Sequence, residues 1–165
     1  MVKIIGIDPG LAATGIGIVS GLGPKIDGYS FGSINTPKNT SFPSRLDKIF
    51  SKLLQLLKRE NPDLMVIEDV YSLHRYPKSG LVLGKVTGVI QLAGFHAGVP
   101  SIEIPVREAK QILTGNGNAD KKQLEKAVRH QLNHKLPIKP VHASDAMGLA
   151  LIGLYRYQDG LHAIS

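Results

Sequence analysis

Two short apolar runs in this chain each end on a carboxylate. They are residues 4–8, which end on Asp8, and residues 64–68, which end on Glu68. Apolar runs bounded by turn residues predict buried strands, and a buried strand does not end on a charge without a reason. If neighbouring strands of one sheet hold the two carboxylates, the fold places an acidic site at the edge of that sheet.

A third segment adds two further polar side chains, His142 and Asp145, at the start of a helix-like stretch. Residues three apart share a helical face, and the helix N-terminus favours the ionised carboxylate that a metal needs. With Asp8 and Glu68 they predict a divalent-metal site suited to phosphodiester chemistry. Taken singly, each residue has a plainer explanation: a turn aspartate, a buried ion-pair partner or a polar helix end.

Charge and composition set limits on the class of protein. The 165 residues carry a net charge of +7 with a pI near 9.7, which favours a polyanionic partner, nucleic acid first and an anionic membrane second. A soluble protein that is merely basic is the alternative. The absence of cysteine excludes disulfides and cysteine zinc sites. We find no apolar stretch of the ~20 residues that span a bilayer and no room for a secretory signal, so we expect a cytoplasmic protein.

The order of predicted elements indicates an α/β fold in a single domain, residues 1–165. Strands are predicted at 2–8, about 14–20, about 26–35, 64–68 and 100–104. Helices are predicted from Ser44 to Asn61 and at 79–97, about 106–113, 120–133 and 142–157. Three antiparallel strands followed by alternating helices and strands predict a mixed sheet between helices.

Basic residues accompany the acidic ones along the second half of the chain. The set comprises Arg75, Lys78, Lys85, Arg107, Lys110, Lys121 and Lys122. The glycine-bearing turn at 113–122 precedes a helix, and its backbone N–H groups are predicted to hold a phosphate; a solvated connection is the alternative. Tyr71, in a loop that interleaves aromatic and basic residues, is predicted to stack on bases, unless it packs under the next helix.

Several blocks of the sequence together resemble the RuvC family of bacterial Holliday-junction resolvases, or crossover junction endodeoxyribonucleases. The blocks are residues 6–10 with 14–15, 67–71, 83–88, 110–111, 115–121 and 142–146. They occur in the family's order and spacing and span nearly the whole chain. The resemblance implies a ribonuclease H-like five-stranded sheet, a homodimer and paired, metal-dependent nicks across a four-way DNA junction. It also implies a branch-migration complex as a partner.

The resemblance also implies roles for individual residues. Asp8, Glu68 and Asp145 match metal ligands of the family, and His142 lies where many members have Asp and others His. Tyr71 matches a position that is commonly Phe and engages junction bases, and Lys110 and Lys121 match DNA-contacting lysines. The expected DNA contacts are Tyr71, Arg75, Lys78, Lys85, Lys110, Lys121 and Lys122.

Two divalent ions ~4 Å apart suit in-line hydrolysis, and oxygen ligands favour Mg²⁺, with an imidazole extending tolerance to Mn²⁺. No nucleotide cofactor is expected. Three rivals stay open: a YqgF-type nuclease of ribosomal RNA precursors, an actin-like or sugar kinase, and a junction-binding protein without chemistry. A kinase of that kind needs two such lobes, and this chain supplies one.

Overall fold

The computed structural model describes residues 1–69 and 77–157, which form a five-stranded sheet with helices on both faces. The strands are β1 (Val2–Asp8), β2 (Ala13–Leu22), β3 (Lys25–Asn35), β4 (Leu64–Glu68) and β5 (Ser101–Ile104). The helices are α1 (Phe42–Glu60), α2 (Pro77–Ala97), α3 (Val106–Thr114), α4 (Lys121–Gln131) and α5 (Val141–Tyr157).

The sheet has the order β3-β2-β1-β4-β5. The first three strands pair antiparallel, whereas β1 with β4 and β4 with β5 pair parallel. This confirms the predicted mixed sheet. Because β1 lies at the centre and its neighbour β4 runs parallel to it, the carboxyl ends of both strands meet at one edge.

Two apolar clusters pack against the two faces of the sheet, as strands that are apolar on both sides require. On one face, α1 and α2 supply residues such as Leu53, Leu57 and Ile90. On the other, α5 lies next to the sheet, with α3 and α4 outside it, and supplies residues such as Met147 and Leu151.

Helix α5 lies directly on β1 and β2 because glycines remove the side chains that would separate them. A Cβ at Gly15 would overlap the carbonyl oxygen of His142, and one at Gly6 would overlap the carbonyl oxygen of Ala146. Backbone thus meets backbone along this contact. The helix is held at a depth that puts its first turn beside the end of β1.

Helix α1 begins two residues before the predicted start. Its N-cap is Ser41, whose side chain accepts a hydrogen bond from the Ser44 backbone, and Pro43 lies in the first turn. The prediction placed Pro43 in the preceding loop, but the first turn of a helix needs no N–H donor, so proline is tolerated there. The predicted end holds, since Asn61 is the left-handed C-cap with φ 44°.

The expectation that no apolar segment reaches membrane-spanning length is wrong for α2. Its residues Lys78–Ala97 form a helix long and apolar enough to cross a membrane by length and composition alone, with a mean hydropathy of 1.2. Only 28% of the most apolar stretch of this helix is buried in the structure. An apolar, largely uncovered helix on a water-exposed face indicates an interaction surface.

Candidate active site

Asp8 closes β1 at the centre of the sheet, where the chain turns away through Pro9 and Gly10. The antiparallel register pairs it with Gly15 on β2. The turn is held by Thr14, whose hydroxyl donates to the Gly10 carbonyl over 2.8 Å. Asp8 is only 6% exposed, so its ionised form needs a cation or donors close by.

Glu68 closes β4, and the pairing of Ile7 with Ile67 puts its carboxyl group next to that of Asp8. The two carboxyl groups share a hydrogen bond. Burial raises the pKa of Glu68, and the hydrogen bond to Asp8 and the charges of Asp8 and Asp145 raise it further. Burial also raises the pKa of Asp8, although the hydrogen bond from Glu68 opposes it. Two touching, buried carboxyl groups do not both ionise without a cation.

The first turns of α5 bring His142 and Asp145 to the same place. His142 Nδ1 lies 2.7 Å from Asp8 Oδ2, and the imidazole is 43% exposed. Asp145 is 6% exposed, and its charge raises the pKa of both Asp8 and Glu68. The structure therefore gathers all four side chains that the sequence predicts as metal ligands.

Lys121 lies at the same cluster, at the start of α4. Its Nζ is 3.5 Å from Asp145 Oδ2, and its charge lowers the pKa of both Asp8 and Glu68. The sequence predicted a DNA contact here and missed the ion pair with the acidic site. No local pattern reveals it, because the pair depends on how α4 packs against α5.

The donor set fits a divalent cation. Three carboxyl groups and one imidazole converge, with one lysine to balance them, and oxygen donors suit hard ions such as Mg²⁺. Within residues 1–69 and 77–157, no three ligand side chains already surround a common point. In this arrangement Lys121 contacts Asp145, and His142 contacts Asp8.

The predicted DNA-binding residues divide between the two faces of the sheet. Helix α2 carries Lys78 and Lys85, and the Lys85 ammonium lies 5.5 Å from the centre of the Phe42 ring. The opposite face carries Lys110, Lys121 and Lys122 on α3 and α4. Tyr71 and Arg75 lie outside the described residues, so their predicted roles stay predictions.

The turn between α3 and α4 corrects the expectation that its backbone holds a phosphate. The amides of Asn116, Gly117 and Asn118 donate to side-chain oxygens of Thr114, Gln111 and Asn116 over 3.1, 2.9 and 2.9 Å. Those of Gly115, Ala119 and Asp120 donate to Gln111, Asn116 and Gln123. All six N–H groups of residues 115–120 are therefore used inside the protein, and phosphate contacts here fall to side chains.

Comparison with known proteins agrees with the geometry. The family model described as crossover junction endodeoxyribonuclease RuvC matches residues 4–153. A protein of that name from Rhodopirellula baltica is 36% identical over 152 residues, covering 92% of this chain and 85% of its own length. Another, from Thermosipho melanesiensis, is 38% identical over 149 residues, covering 90% of this chain and 94% of its own length.

Solved structures give the same result. The Thermus thermophilus RuvC structure in complex with a Holliday junction substrate superposes with a TM-score of 0.89 at 28% identity, covering 97% of both chains. The yeast mitochondrial Holliday junction resolvase Ydc2 gives a TM-score of 0.64 at 13% identity, covering 96% of this chain and 79% of its own, and shows the shared fold alone.

The sheet topology and the acidic edge define a nuclease of the ribonuclease H-like fold, as predicted. The matches across nearly the whole chain go one step further. This chain belongs to the RuvC family of metal-dependent crossover junction endodeoxyribonucleases, and the family resemblance of its sequence blocks is confirmed.

Proposed function

We propose that this chain, as a single domain, resolves four-way DNA junctions by paired, metal-dependent nicks during recombination and repair. The observation that carries the proposal is the convergence of Asp8, Glu68, His142 and Asp145 at one sheet edge. The net charge of +7 supports a nucleic-acid substrate, because cationic surfaces gain affinity from phosphate contacts.

Mg²⁺ is the metal that we propose, as two ions held by Asp8, Glu68, Asp145 and His142, with Mn²⁺ as a substitute. When bound, such ions supply charge neutralisation and an activated water at the scissile phosphate. The protein's part is to bury the carboxyl groups until a cation is present. Because their pKa values are raised, binding of a cation would release protons, and metal affinity would rise with pH.

His142 has one ring nitrogen committed and one free within the described residues. Nδ1 faces Asp8, which leaves Nε2 for a metal ion or for the DNA phosphate. The 43% exposure of the side chain gives Nε2 access from solvent. A metal ion needs a lone pair at the ring nitrogen that binds it, whereas a phosphate needs an N–H donor there. In either role the available nitrogen is Nε2, because Nδ1 contacts Asp8.

In our proposal, Lys121 supplies positive charge to the acidic cluster when no metal ion is bound. It partly neutralises the carboxyl cluster before metal arrives, and its side chain is 64% exposed and therefore free to swing to another anion. If a metal ion took the place of Lys121 at Asp145, the ammonium would be free to contact a DNA phosphate beside the acidic cluster. The proximity of Lys121 to the cluster supports its proposed DNA contact near the reacting phosphate.

A homodimer accounts for the apolar face of α2. Leu81, Leu92 and Phe95 are 69%, 49% and 80% exposed, and they share one side of the helix with Gly84 and Gly88. Added Cβ atoms at the two glycines would meet nothing within 4 Å, so this side is uncovered in one chain. A second copy packed on it by two-fold symmetry presents two active sites to a junction, which yields symmetric nicks.

The remaining partners follow from the substrate. A branch-migration complex that moves the junction is the partner that we propose for delivery, and the cytoplasm, where a bacterial chromosome lies, is the compartment. Neither a membrane nor a nucleotide has a part in the proposed reaction.

Cleavage of a four-way junction by the purified protein tests the function. With Mg²⁺, we expect paired nicks in the junction and little cutting of matched duplex or structured RNA. Asp8→Asn, Glu68→Gln and Asp145→Asn remove the charge of a site residue and should abolish cutting while leaving junction binding largely intact, because affinity comes mainly from phosphate contacts.

Asp47→Asn, on the exposed face of α1, is the matched control and should cut normally. Undiminished Mg²⁺-dependent cutting by a site variant would remove that residue from the active site. Preferred cutting of structured RNA would instead support the RNA-nuclease rival.

A further inference from the structure

Arg107 stands apart from the other arginines that the structure describes. Arg45 donates to Thr36, Arg59 pairs with Glu60, Arg129 pairs with Glu125 and Arg156 pairs with Glu108. Arg107 is exposed on α3 and has no hydrogen bond or ion pair with any described residue. Since the adjacent Glu108 is taken by Arg156 at 2.8 Å, the guanidinium of Arg107 is left without a carboxylate.

Gly117 provides the surface on which the Arg107 side chain lies. A Cβ at Gly117 would come within 3.1 Å of Arg107 Cγ and 3.2 Å of its Nε. The backbone does not require glycine here, because Gly117, unlike Gly115 at φ 74°, is not in the left-handed region. A side chain at Gly117 would therefore press on Arg107 and shift it by a few tenths of an ångström from its place across the turn.

The N–H groups of residues 115–120 in this turn are all used inside the protein. The side chain of Gln111, on α3, holds the turn with two hydrogen bonds. It donates to the Gly115 carbonyl over 3.1 Å and accepts from the Gly117 amide over 2.9 Å. Arg107 is thus a free guanidinium lying on a fixed support. It is three residues before Lys110, so the two cations share a face of α3.

We propose that Arg107, supported by Gly117, binds a DNA phosphate and is the main anion contact of the α3–α4 turn. The proposal rests on the proposed function, because the DNA in question is the junction. A guanidinium presents several N–H donors in a planar fork that matches two phosphate oxygens, which an amine cannot do. The contact fixes the position of the junction arm next to Lys110 and Lys121.

Equilibrium binding of a four-way junction, measured without cutting in EDTA at several salt concentrations, tests the proposal. We expect Arg107→Ala to weaken binding about twofold to fivefold, in the range of an exposed ion pair, and to reduce the salt slope by about 0.9. Arg107→Lys should keep the salt slope but recover only part of the affinity. Lys52→Ala, an equal charge change on exposed α1 across the sheet, should alter neither.

A double-mutant cycle tests the support. Gly117→Val should weaken binding in the wild-type background and add little to Arg107→Ala, because both changes remove the same contact. Thermal melts of every variant identify any loss of folding. An affinity and slope for Arg107→Ala equal to those of Lys52→Ala would overturn the phosphate contact, and additive losses in the cycle would overturn the role of Gly117.

Failure of the proposed function can be distinguished from failure of the Arg107 proposal. Wild-type protein that neither binds nor cuts the junction contradicts junction resolution. In that case the same variants measured on duplex DNA decide the role of Arg107, since an unchanged slope there overturns it and a reduced slope supports it.

Discussion

Replacing Glu68 by Gln should stabilise the metal-free protein at neutral pH, although we expect the same change to abolish cutting. The pKa of Glu68 is raised by burial and by Asp8 from 4.5 to about 9. The folded state therefore keeps a proton that the unfolded chain releases above pH 4.5. The contribution of Glu68 to stability is full below that pH and falls as pH rises towards the folded pKa.

The magnitude follows from the pH interval. At about pH 7.5, roughly three units above the ordinary pKa, the cost has a ceiling of about 4 kcal/mol, since each unit is worth about 1.36 kcal/mol. Partial solvent access and the shared proton with Asp8 reduce it to about 1–3 kcal/mol. Gln keeps a hydrogen-bond donor towards Asp8 without the cost of binding a proton. For a chain of this length, we expect Tm to rise by about 2–12 °C.

Melting curves in EDTA at pH 5 and pH 7.5 measure the effect. Glu68→Gln should gain stability over wild type at pH 7.5 and little at pH 5, and added Mg²⁺ should stabilise wild type far more than the variant. Glu60→Gln is the matched control and should change stability in the opposite direction, because the pKa of Glu60 is lowered, mainly by the hydrogen bond from Arg59. A Glu68→Gln protein no more stable than wild type at pH 7.5 would refute the proton-retaining pair.

Three further changes test other features. Gly15→Ala forces a Cβ into the His142 carbonyl and should cost about 1–3 kcal/mol or more in chemical denaturation, with a parallel loss of cutting. Phe95→Asp should convert the proposed dimer to a monomer in sedimentation experiments and replace paired nicks by single ones; a monomeric wild type would contradict the proposed interface. His142→Ala should lose most activity, whereas His142→Asp should keep a substantial part and shift preference from Mn²⁺ towards Mg²⁺; full activity in the alanine variant would leave His142 without a role.

The centre of the fold and the acidic site were predictable because they depend on local patterns and on one rule of sheet geometry. Asp8 and Glu68 end apolar strands, and parallel neighbours end at a common edge, so their contact was expected if the two strands were neighbours, which the pairing of β1 with β4 confirms. His142 and Asp145 share a helical face for a similar reason. The family blocks then supplied the order in which these elements come together.

What the sequence did not reveal depends on packing between distant elements. The ion pair of Lys121 with Asp145 needs the first turn of α4 beside that of α5. The glycine-bearing turn was interpreted as a phosphate cradle, but Gln111 and Thr114 satisfy its amides from within. The apolar character of α2 was overlooked because its glycines and scattered polar residues interrupt the run, while one side of the helix stays apolar.

The contact of α5 with the sheet also fixes how the two parts of the acidic cluster are spaced. Because the carbonyls of His142 and Ala146 rest where Gly15 and Gly6 lack side chains, α5 cannot move closer to β1, and lifting it would open a gap. The backbones of β1 and α5 therefore keep a fixed spacing, which holds Asp8 at a set distance from the helical turn that carries His142 and Asp145. The geometry of the acidic cluster thus depends on two glycines that are not themselves members of it.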